Sequence, residues 1–186
     1  MKRIGTILFV FLFIIVGCGS EPEMNAATQI EQPENETVKQ QNKMSKEMPG
    51  NFDFMVRFGY GTVNKNEINT FQDTVTKDLI MNGTATAQIT LTKEEMRSIY
   101  NQMREINIMD VKELAAANQT CERVPYSEDI WEININGETK TLTWTDRYCT
   151  QTSDMEQLLE LRNFVDQIVK TKEEYKKLPE SEGGYD

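Results

Sequence analysis

Three cysteines and a surplus of carboxylates carry most of the covalent and proton-transfer chemistry open to this chain, because its 186 residues include no histidine. Without imidazole, Ser-His-Asp and Cys-His catalysis are excluded, and so are the usual zinc and copper sites. Asp and Glu number 30 against 20 Lys and Arg. Acid–base work by carboxylates needs two of them held at defined spacing in a cleft, and no pair stands out from the acidic background. No D-x-D-x-D-G loop for Ca²⁺ is present, and the sequence implies no cofactor or metal. Cys121 and Cys149 form an even pair, which reads as a disulfide if the chain is exported.

A candidate export signal lies at the start. Lys2 and Arg3 precede an uncharged apolar run over residues 4–16, and Ile15-Val16-Gly17-Cys18 closes it. The run is short for a permanent span, which needs about 20 apolar residues, and has the flanks of a signal peptide. Gly17 is small enough for a peptidase pocket, Ile15 fills an apolar subsite, and the Cys18 thiol is the nucleophile that lipid transfer requires. The four residues resemble a lipobox, and the chain thereby resembles a bacterial lipoprotein precursor, with a Gram-positive membrane the expected host surface. The resemblance implies cleavage before Cys18, lipidation of its sulfur, and a location on the extracytoplasmic face of the cell membrane. Several acyl chains, at about 0.8 kcal/mol per buried CH₂, anchor durably. The region from Gly59 to Gln119 and beyond is similar to uncharacterised lipoprotein domains of low-GC Gram-positive bacteria, a likeness that carries no activity.

The formal charge is −10, and losing Lys2 and Arg3 with the leader makes the mature chain more acidic. Such a chain makes a poor nucleic-acid partner and is held at an anionic membrane by its lipid rather than by a basic patch. Residues 1–17 are expected to be a signal peptide and residues 18–50 a disordered, lipid-anchored tether, rich in Glu, Gln, Asn and Lys with isolated apolar residues. One domain is expected over residues 51–175, and residues 176–186 are expected to be a frayed tail.

Within the domain, Phe52, Phe54, Val56, Phe58 and Tyr60 alternate along a first strand. Asn64-Lys65-Asn66 signals a turn, residues 70–77 a second strand with Phe71 and Val75 on one face, and residues 84–91 a third with Ala85, Ala87, Ile89 and Leu91 inward. Thr92 and Glu95 form a capping box for a helix whose stripe is Met96, Ile99, Tyr100, Met103 and Ile106. Residues 108–117 form an irregular connection with room for a short helix. Asn136-Gly137 predicts a two-residue hairpin between residues 130–135 and 139–144, pairing Trp131 with Leu142 and Asp129 with Trp144. Ser153 is expected to cap a second helix running to about Lys172. The order predicts an α+β fold: an antiparallel sheet of about five strands, a three-stranded meander plus a hairpin, with two main helices on one face.

The candidate binding surface is the open end of that hairpin, where Tyr126, Asp146, Arg147 and Tyr148 gather beside the Cys121–Cys149 disulfide. Arg147 is expected to pair with Asp146 or Glu128. The reading that follows is a membrane-anchored binding or interaction module, such as a sensor, inhibitor or accessory subunit, with a protein or cell-envelope partner. The alternative is a His-independent carboxylate enzyme acting on wall or peptide substrates, which requires two acids facing across a cleft.

Overall fold

Asn136 and Gly137 both take positive φ, 55° and 83°, as a type I′ turn demands. They join β5 (Ser127–Ile135) to β6 (Glu138–Thr145) in the register such a turn dictates: Ile135 opposite Glu138, Trp131 opposite Leu142, Asp129 opposite Trp144. On its other edge β5 pairs with β1 (Asp53–Tyr60). Beyond β1 lie β2 (Asn66–Asn69), β3 (Thr74–Asp78) and β4 (Thr84–Gln88), which gives one antiparallel sheet in the order β4-β3-β2-β1-β5-β6. The computed structural model describes residues 42–185; the expected leader, Cys18 and most of the expected tether lie outside them.

The α+β class holds, with six strands rather than about five. The extra strand is β2, whose single fully apolar residue, Ile68, is too little to show a period. Asn64 makes the expected turn with a φ of 43°, but pairing resumes at Asn66. Residues 70–73 then turn again, with Asp73 at φ 53°, so Phe71 is exposed rather than inward. Thr70 explains the break. Its hydroxyl accepts from the Phe54 amide at 2.8 Å and donates to the Asp53 carboxylate at 2.9 Å, which ties the turn to β1.

One face of the sheet carries the core. Ala87, Val75, Ile68, Val56, Trp131 and Leu142 form a row across all six strands, from β4 to β6. Helix α1 (Lys93–Glu105) adds the buried Ile99, Tyr100 and Met103 to the same core, and α2 (Ser153–Lys170) adds Met155, Leu158, Leu161, Val165 and Val169. The opposite face is polar, with Arg57 paired to Glu67 at 2.6 Å and Thr76 bonded to Thr86 at 2.8 Å. The α1 cap is the expected reciprocal one: the Glu95 amide donates to Thr92 Oγ1 and the Thr92 amide to Glu95 Oε2. The α2 cap is Thr152 rather than Ser153; its hydroxyl accepts from the Met155 amide at 3.2 Å. Residues 108–117 hold no helix; Ile108 and Met109 are nevertheless buried.

Both ends of the folded region reach further than its periodic segments. Upstream, Met44 is buried, Asn42 donates to the Arg104 carbonyl at 2.5 Å, and Tyr100 donates to the Ser45 carbonyl at 3.0 Å. The ordered structure therefore begins before residue 51. Downstream, the tail is not frayed. After α3 (Glu173–Lys176), Glu182 bridges Ile80, Ser181 Oγ donates to the Asp78 carbonyl at 2.6 Å, and the Tyr185 hydroxyl donates to Asp78 Oδ2 at 2.6 Å. Among the described residues no helix is long and apolar enough to cross a membrane.

Candidate functional site

The hairpin end is built by a change of register. Glu128 faces Thr145 in the β5–β6 ladder, while Glu122 bridges Tyr148. Three residues on the β5 side, Val124 to Tyr126, are thus left over and bulge out. The shift brings Cys121 opposite Cys149, and the two form a disulfide with Cα atoms 5.5 Å apart. The Cys149 amide donates to the Cys121 carbonyl, and the Arg123 amide to the Arg147 carbonyl.

Three of the four expected site residues meet there. The Arg147 guanidinium lies 5.5 Å from the Tyr126 ring centre and 6.0 Å from that of Tyr148, within cation–π range. Arg147 pairs with neither Asp146 nor Glu128; it donates to Glu122 Oε2 from Nε at 3.0 Å and Nη2 at 2.9 Å. That hydrogen-bonded carboxylate raises its pKa further. Asp146 turns away from the cluster. Its carboxylate accepts from the Ser127 amide at 2.5 Å, which closes the last rung of the hairpin. Tyr126 is held from below: the Gly61 amide donates to its carbonyl at 2.8 Å. Gly61 has a φ of 49°, and a Cβ there would meet the Tyr126 ring at 3.6 Å, so this is glycine's conformation.

A second concave region lies one step along the sheet. The row next to the apolar one reads Ala85, Lys77, Asn66, Phe58, Asp129 and Trp144, with Asn66 meeting Lys77 by continuation of the β2–β3 register. Three of its six members are polar, on the face that elsewhere forms the core. Asp129 is fully buried and pairs with Arg162 Nε on α2 at 3.1 Å, while its other oxygen finds no partner. Burial pushes the Asp129 carboxyl up to about 6; Arg162 opposes the rise, and Asp146 and Glu128 add to it. Arg162 in turn sits 5.1 Å over the Phe58 ring.

Beyond Phe58 this row opens into a cleft of about 620 Å³, bounded by the end of the sheet, the last turns of α2, α3 and the C-terminal tail. The carboxylates that line it pair as Lys77–Glu180 at 3.4 Å, Lys170–Asp166 at 2.5 Å and Lys65–Asp78 at 3.8 Å. Each of its three carboxylates thus has its own lysine. Tyr185 stacks flat on Tyr60, with centroids 4.4 Å apart and planes at 7°. Lys77 approaches the Tyr175 ring at 5.7 Å. Burial raises the Tyr175 hydroxyl pKa, with Asp166 and Glu180 adding to it. Among the described residues no group of three or more Cys, Asp or Glu side chains is placed to hold a metal ion.

The expected site residues do not include the cleft. One signal for it was present: alternation that puts Val75 inward also puts Lys77 inward, and a lysine on a core face needs a reason. No protein-family model, no curated protein and no solved structure matches the chain.

Proposed function

We propose that this chain is an extracytoplasmic binding module, anchored to the outer face of the cell membrane through lipid on Cys18. Its recognition surface is the stapled hairpin end. The observation that carries this reading is Arg147 held between the Tyr126 and Tyr148 rings beside the Cys121–Cys149 disulfide. Tyr and Arg are the residue types in which binding energy concentrates. A cross-link that fixes both flanking loops lowers the ordering cost of engaging a partner. The disulfide fits an exported chain, and Ile15-Val16-Gly17-Cys18 supplies the route and the anchor.

The test is a cross-linked pull-down from native membranes with the wild-type chain, Arg147→Ala and Cys18→Ser. Wild type should stay in the membrane fraction, begin at a lipidated cysteine by mass spectrometry, and capture a defined partner. Arg147→Ala should lose that partner with unchanged melting, and Cys18→Ser should leave the membrane or persist as precursor. An uncleaved, unmodified wild-type N-terminus overturns the anchoring. A partner held equally by Arg147→Ala overturns the surface, and turnover of a wall or peptide substrate with no partner captured favours the carboxylate enzyme.

A further inference from the structure

The least expected group in the cleft is the Lys77 ammonium. Its side chain is only 14% exposed, yet its counter-ion, Glu180, is 92% exposed and stands 3.4 Å away. A cation on a largely covered side chain gains most from a close, well-held anion. Glu180, on the tail and almost wholly in solvent, is a replaceable one. The lining sets Lys77, Lys170 and Lys176 against Asp78, Asp166 and Glu180, so the cleft is neutral within an acidic protein.

The tail itself shows what the cleft accommodates. Glu180 places a carboxylate on Lys77, and Tyr185 lays a planar ring flat against Tyr60 with its hydroxyl on Asp78. With the tail in place, about 620 Å³ remains, within the roughly 300–1,000 Å³ of small-molecule sites. Phe58 and Tyr175 contribute the apolar wall.

We propose that this cleft is a second binding site, for a small molecule that joins a planar ring to a carboxylate. The carboxylate takes the place of Glu180 on Lys77, and the ring lies in the Phe58–Tyr175 side of the cleft. Glu180 swings into solvent while Ser181, Glu182 and Tyr185 keep the tail docked. No covalent step is involved, and the site stands independently of the hairpin-end surface.

The experiment is a titration of the nitrogen-labelled full-length chain in detergent micelles with benzoate, followed by amide resonances. Benzamide (the same ring without the charge) and acetate (the charge without the ring) are the controls. Benzoate should move Lys77, Tyr175 and Ser181, and both controls should do so far more weakly. Glu180→Gln removes the competing carboxylate and should tighten benzoate by about two- to fivefold, the range an exposed ion pair spans. Lys77→Met should abolish the response. Opposite signs for the two halves of one ion pair are not what a purely structural pair gives. Glu180→Gln sits in solvent, so its result stands even if Lys77→Met perturbs the fold. Acetate matching benzoate, weaker benzoate binding in Glu180→Gln, or no movement at Lys77 in wild type would overturn the proposal.

Discussion

Two neighbouring rows on the same face of one sheet have opposite characters. Ala87, Val75, Ile68, Val56, Trp131 and Leu142 run across it without a polar atom to satisfy, apart from the Trp131 indole N–H. One pleat along, Ala85, Lys77, Asn66, Phe58, Asp129 and Trp144 contain an ammonium, an amide and a carboxylate, the last wholly buried. The first row needs only to be apolar and to fit. The second keeps groups that a stability-driven core would replace with aliphatics, since desolvating a charge costs more than an exposed partner returns. It is also the row that runs out into the cleft. The difference separates a row that is wholly apolar core from one that brings polar and charged groups onto the same face.

Substitutions can break that comparison. Trp131→Ala, at the centre of the apolar row, should have the largest effect, about 3–5 kcal/mol of lost stability by urea unfolding. A small loss would mean that this row is not the core. Removing the staple with Cys121→Ser and Cys149→Ser should cost roughly 3–4 kcal/mol for a loop of 28 residues, while amide resonances around Lys77 stay in place. Movement there would mean that the hairpin end and the cleft are one unit.

Asp129 sharpens the contrast through pH. Its folded pKa is raised from 3.8 to about 6, so the folded state holds the proton more tightly than the unfolded one. The stability it contributes is fully present below about pH 4 and is lost as pH rises through about 6. Asp129→Asn cannot titrate. Relative to wild type it should therefore gain about 3 kcal/mol between pH 4 and 7. Glu95 and Asp154 work in the other direction. Burial raises each, but the Lys172 and Thr92 bonds to Glu95, and the Glu113 amide and Lys112 bonds to Asp154, outweigh it and leave both lowered. They are common to both proteins and cancel in the difference. A difference independent of pH would show that Asp129 is not a buried, raised acid.

Much of what the chain encodes locally was legible, though the α2 cap proved to be Thr152 rather than Ser153. Asn136-Gly137 determined the hairpin register to the residue, Thr92 and Glu95 marked a helix start, and the even cysteine pair gave the disulfide. The hairpin-end cluster was readable for the same reason: its members lie on two short segments that one turn brings together. Even there the pairing of Arg147 was missed, because a three-residue bulge puts Glu122 in reach instead of Asp146 or Glu128. The cleft was opaque because it draws on β1, β2, β3, α2, α3 and the tail, which are far apart in sequence. The tail docks through Ser181, Glu182 and Tyr185, single residues without a period, among glycines that read as slack. β2 was lost because one isoleucine between asparagines shows no alternation. Two clues to the polar row were nonetheless available: Lys77 shares the parity of Val75, and Asp129 sits opposite the inward Trp144.

The central claim is that Lys77, in the polar row, serves ligand binding and not the stability of the fold. Urea unfolding of Lys77→Met at neutral pH tests it most directly. Loss of a lysine whose only ion-pair partner among the described residues is in solvent should leave stability within about 1 kcal/mol of wild type, or raise it, since such pairs contribute little. A loss of more than about 3 kcal/mol, the range of a broken buried pair, would contradict the claim and make Lys77 a structural residue.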